Sequence, residues 1–155
     1  MNRFFVGLAW LILTTHCIAV EPNRYQKFLE KERPQELDVL AQGGMMCLLN
    51  RSQLNEVVRG EALKHKIKPL FESVVSEGFY LHALLKCNPY SLEPYIFAYS
   101  VEVRFMAINS GYRYAYFKEY SDLGTGSDPK EALESFRESV QSALLDYVEA
   151  NLANF

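Results

Sequence analysis

The sequence predicts an all-α protein: a single compact bundle of five or six helices closed by one disulfide. Three observations lead there. Apolar residues recur at three-and-four spacing through much of the chain, helix-start signals precede several of those runs, and two cysteines remain once an N-terminal leader is set aside.

The leader is residues 1–19, MNRFFVGLAWLILTTHCIA. Arg3 precedes an apolar run from Phe4 to Leu13, and Cys17 and Ala19 stand as a small-residue pair before a cut at Val20, the layout of a secretory signal peptide. The run is well short of the roughly 20 apolar residues that cross a bilayer as a helix, so no stable membrane span is expected after its removal. Cys17 does not suit a lipidated bacterial cysteine, because Thr14, Thr15 and His16 stand where small residues are required. The expected organisation is therefore a signal peptide over 1–19 and one helical domain over 20–155, in a secreted or periplasmic protein.

Within that domain a short helix is expected from Pro22 to Glu32, with Tyr25, Phe28 and Leu29 on one side. Pro34 opens a second, carrying Leu37, Leu40, Ala41, Met45 and Leu48 and interrupted by Gly43 and Gly44. Asn50 and Gln53 form a capping-box pattern before a third helix with Leu54, Val57, Val58, Ala62 and Ile67. Pro69 breaks it and starts a fourth, with Leu70, Phe71, Val74, Val75, Leu81, Leu84 and Leu85, ending near Cys87. Asp128, Pro129 and Glu131 open the last helix, whose stripe is Leu133, Phe136, Val140, Leu144, Tyr147 and Leu152. Leu123 to Pro129 reads as a loop.

The segment Tyr90–Tyr120 holds seven of the ten tyrosines and fits two periods. Phe97, Val101, Phe105, Ile108 and Tyr112 step as a helix; Val101, Val103, Phe105 and Ala107 alternate as a strand before an Asn109-Ser110-Gly111 turn. Because a lone hairpin is marginal, the helix is preferred. The alternative is an α+β protein, a helical domain with a packed hairpin at 97–117.

Cys47 and Cys87 are an even pair in a chain entering an oxidising compartment, and a disulfide between them is expected. Closing a loop of about 40 residues stabilises by roughly 4 kcal/mol in the chain-entropy account. Two cysteines with His65 and His82 at non-motif spacings make no metal site, and no cofactor is expected. A formal net charge of −3, made slightly more acidic by loss of Arg3, argues against nucleic-acid binding. There is no G-x-S-x-G, no phosphate-loop spacing in GTGSDP and no marked acid–base pair, so no catalytic residue is assigned.

What exceeds expectation is tyrosine, whose rigid body and polar tip suit recognition. Tyr112, Tyr114, Tyr116 and Tyr120 are candidate partner-binding residues, with Lys64, Lys66 and Lys68 as a basic patch at the end of the third helix. The expected function is binding of a protein partner, for example as a periplasmic immunity or inhibitor-type protein, by analogy of size, export and composition. The alternatives are a small exported hydrolase using His82 or His65, and a carrier of an apolar ligand.

Overall fold

The computed structural model describes residues 23–43, 45–71, 78–89, 96–109 and 112–155; the expected signal peptide at 1–19 lies outside them. The architecture is mixed α/β and overturns the all-α expectation. In chain order come α1 (Asn23–Leu29), β1 (Glu36–Gly43), a 3-10 turn (Met45–Cys47), α2 (Arg51–Lys64), β2 (Lys68–Phe71), β3 (Gly78–Pro89), β4 (Phe97–Asn109), β5 (Tyr112–Gly126), α3 (Pro129–Ala150) and a 3-10 turn (Leu152–Asn154). The strands form one sheet in the order β2-β1-β3-β4-β5. Strand β1 runs parallel to both neighbours, while β3, β4 and β5 form an antiparallel meander.

The second and fourth expected helices are strands, for a physical reason visible in their burial. Leu37, Val39 and Ala41 of β1, and Leu81, Ala83, Leu85 and Cys87 of β3, alternate into the main core. The intervening Leu40 and Tyr80 join a second apolar cluster with Ile108. A central strand with apolar groups on both faces loses its clean two-residue period, and its Leu and Ala spacings then imitate a helix. In β4 the period-two alternative of Val101, Val103 and Phe105 prevails over the helical one, and all three side chains are buried. The hairpin of that alternative runs 97–109 and 112–126, and it is the edge of a five-stranded sheet rather than an appendage to a bundle. The expected loop at Leu123 is the end of β5.

Two helices follow their sequence signals. The Asn50 side chain accepts from the Gln53 amide at 3.0 Å, and the Gln53 side chain accepts from the Asn50 amide at 2.9 Å. The helix ends at Lys64, with His65 as its cap and Ile67 beyond it. Asp128 accepts from Lys130 N at 2.9 Å, with Pro129 in the first turn of α3. Phe136, Val140, Leu144 and Tyr147 pack α3 on the sheet, whereas Leu152 lies beyond the helix and is exposed. Rings stack through the core, Phe79 on Phe105 at 5.3 Å and Phe105 on Tyr147 at 5.6 Å. Each fully buried large side chain here contributes roughly 1.5–3 kcal/mol.

Cys47 and Cys87 are bonded, their Cα atoms 5.3 Å apart. The bridge ties the turn after β1 to β3, not the ends of two helices as expected. No helix of the described residues is long and apolar enough to cross a membrane.

Two glycines give opposite expectations. Gly124 pairs with Tyr99 across the β4–β5 ladder, and a β-carbon there would overlap the Tyr99 ring. Gly60 lies within α2 with open space where its β-carbon would be. Gly124→Ala is expected to destabilise by about 1–3 kcal/mol through forced repacking, and Gly60→Ala to stabilise by about 0.5–1 kcal/mol through helix propensity. Chemical denaturation of both variants checks the pair; equal effects would contradict the ring contact.

Candidate binding face between the edge strand and the last helix

One side of α3 carries hydroxyls and carboxylates beside its apolar stripe, at Ser135, Glu138, Ser139, Ser142 and Asp146, so the same turns that bury Phe136 and Val140 turn this polar row toward β5. Between that row and the edge strand is an open groove of about 440 Å3. Ser135 and Ser139 are buried in its floor, while Glu119, Asp122, Glu138 and Ser142 are exposed around it. Ser135 Oγ donates to Asp122 Oδ2 at 2.6 Å, and Ser142 Oγ to the Glu138 carbonyl at 2.9 Å. No cation lines the groove among the described residues. Arg104 reaches Glu119 at 3.5 Å from β4, but it also bonds Glu102 at 2.6 Å.

At one end of the groove three elements meet. Tyr120 of β5 donates to Asp146 Oδ2 of α3, and Lys118 Nζ donates to the same oxygen. The Tyr25 hydroxyl of α1 lies within hydrogen-bond distance of the Tyr120 hydroxyl, at 2.9 Å. The Lys118 ammonium sits 5.1 Å from the Tyr120 ring centroid and 5.6 Å from that of Tyr25. Burial pushes the Tyr25 phenol up to about 12, opposed by its bond to Tyr120 and reinforced by the Asp146 charge. Burial first, then the Asp146 bond and Tyr25, raise Tyr120 far above the ordinary range.

The sign of the resulting pH dependence follows from linkage. The folded state holds the Tyr25 proton more tightly than the unfolded chain, so this stabilisation is complete below pH 10 and is lost as the pH rises from 10 toward 12. Melting temperatures between pH 8 and 12 are expected to stay level and then fall, with a shallower fall in Tyr25→Phe; superimposable curves for the two proteins would exclude a contribution from this phenol.

The candidate tyrosines all lie on β5. Tyr112 pairs with Asn109 and Tyr114 with Ala107, while Tyr116 falls in the register shift between Arg104 and Met106; their side chains lie outside the described residues. Tyr120 pairs with Val103 and is half-buried in the cluster above. The candidate lysines are at the opposite edge of the sheet. Lys64 pairs with the buried Glu61 at 2.7 Å, and Lys68 of β2 with Glu36 at 3.1 Å. Lys66 is exposed in the turn between α2 and β2. Tyrosines and lysines therefore do not form one surface.

Neither His65 nor His82 borders the groove. His82 is half-buried on β3, on the sheet face away from α3, with Nε2 3.4 Å from Gln42 Oε1. His65 caps α2. Ser135 thus has a carboxylate partner, and no imidazole lines the groove among the described residues. No group of three or more metal-ligating side chains occurs among the described residues.

Two other clefts are lined by charges of both signs. Between α2 and α3, about 400 Å3 is bordered by Glu61, which is held by Lys64 and, at 3.7 Å, by Arg137 Nε. At the start of β1, about 480 Å3 is bordered by Lys31, Glu32, Arg33, Glu36 and Asp38. Lys31 rests 3.8 Å from the Phe79 ring centroid, and burial lowers its pKa.

No protein-family model matches the chain, and no curated protein matches it. Among solved structures it is similar to a minor lipoprotein from Acinetobacter baumannii, at 10% identity over 77% of this chain and 92% of that chain, with a TM-score of 0.38. It is also similar to a protein from Caulobacter crescentus CB15 assigned as a lipoprotein, at 16% identity over 79% of this chain and 86% of that chain, with a TM-score of 0.24. At these TM-scores the likeness carries no argument about this chain's function.

Proposed function

We propose that this is an exported protein, secreted or periplasmic, that acts by binding a protein partner through the face formed by β5 and α3, in the manner of an immunity or inhibitor-type protein. Export is supported by the leader-like residues 1–19 and by a disulfide that persists only in an oxidising compartment. The observation that carries the binding reading is the groove itself: an open polar cleft whose hydroxyls and carboxylates are arranged beside Tyr120 of the edge strand.

The test is a photo-reactive amino acid placed at Ser121 or Ser142 in the full chain, expressed where it is exported, with Lys66 as the comparison position. The expected result is a discrete protein adduct from the two groove positions, on a mature chain beginning at Val20 with no alkylatable thiol. Adducts from Lys66 alone, adducts with small molecules only, or an intact Met1 chain with free thiols would each overturn the proposal.

A further inference from the structure

The two edges of the sheet are unlike. β2 is four residues long, begins with Lys68 and contains Pro69, all features that discourage pairing by another strand. β5 is 15 residues long, has no proline and pairs only with β4 among the described residues. The register shift near Met106 leaves its second half, 119–126, as a regular run against β4. Along that run Glu119, Ser121, Asp122, Leu123 and Thr125 are exposed, Leu123 to 78%. Among the described residues this leucine has no cross-strand neighbour on the outer side of β5, which makes it an apolar anchor.

We propose, building on the binding reading above, that the partner contributes an extended basic segment which adds as a sixth strand to the outer edge of β5 over 119–126. Its main chain takes up the outward N–H and C=O groups of β5, displacing the Asp122 carboxylate from the Leu123 N–H that it accepts from at 2.8 Å. Its Lys or Arg side chains, on alternate positions, extend over the groove toward Asp122 and Glu138, and an apolar residue on its other face covers Leu123. The charge decides the occupant. The groove has three carboxylates and, among the described residues, no lining cation, so a second copy of this chain paired edge to edge would bring two acidic edges together, whereas a basic strand meets the opposite sign.

A displayed library of random 10-residue peptides, selected against the oxidised mature protein, tests this. The expected winners alternate Lys or Arg with apolar residues, protect the Glu119–Gly126 amides from hydrogen exchange, and weaken as salt is raised. Asp122→Asn and Glu138→Gln, both exposed and near-isosteric, are each expected to weaken binding 3- to 10-fold. Acidic or helix-patterned winners, protection on another element, indifference to both variants, or no enrichment would each overturn the strand addition. If the photo-adducts at Ser121 and Ser142 form while the peptide result fails, the binding face stands and only this mode of engagement falls.

Discussion

Replacing Cys47 and Cys87 together by alanine is expected to remove about 4 kcal/mol of stability, roughly 10–20 °C in melting temperature for a domain of this size. The bridge closes a separation of 40 residues that contains α2, β2 and most of β3. Without it the unfolded chain regains the freedom of that loop, and the parallel pairing of β1 with β2 and β3 must be assembled against a larger entropy loss. Both sulfurs are buried, so alanine is the better replacement; serine would add a buried hydroxyl. Reduction of the unaltered protein is expected to give the same drop. A double variant within 1 kcal/mol of the parent would show that the bridge is incidental to the fold.

The second large effect is expected at Asn151, which no sequence pattern singled out. It is fully buried and saturates three main-chain groups: Lys31 N donates to its Oδ1 at 2.7 Å, and its Nδ2 donates to Leu29 O at 2.9 Å and to Tyr147 O at 2.8 Å. It is therefore the clasp between the end of α1 and the end of α3. Asn151→Ala removes a partner from one buried amide and two carbonyls, and leaving such a group unsatisfied costs about 1–3 kcal/mol. The expected result is a drop of about 2–4 kcal/mol, with faster hydrogen exchange at Leu29–Lys31 and protease cleavage near α1 before the sheet unfolds. Asn151→Asp, which keeps the acceptor for Lys31 N, is expected to retain part of that protection. Unchanged exchange at Lys31 in the alanine variant would contradict the clasp.

Local signals were legible wherever a few neighbouring residues decide the outcome. The capping box of Asn50 and Gln53 and the Asp128-Pro129 start of α3 specify helices by satisfying orphan amides or fixing φ, which needs no distant contact. The strands were not legible in the same way. Leu81, Ala83 and Leu85 belong to good helix formers, and they lie in β3 because β1 and β4 flank them and the helices cover them. The polar row of α3 was present in the sequence as hydroxyl and acid residues three and four apart, but its meaning depended on β5 lying opposite. Tyr120 was singled out for its side chain alone; that it joins Tyr25 and Asp146 from 95 and 26 residues away could not be read locally.

By itself the sequence determined the cysteine pair, the two capped helices, the leader-like start and the concentration of tyrosine before the last helix. Only the tertiary structure decided that the intervening apolar runs are strands, that tyrosines and lysines occupy opposite edges, and that one edge stands beside an acidic groove. Helix caps and cysteine counts are short-range or compositional, whereas a strand acquires its stability, and an edge its accessibility, from partners that are distant in the chain.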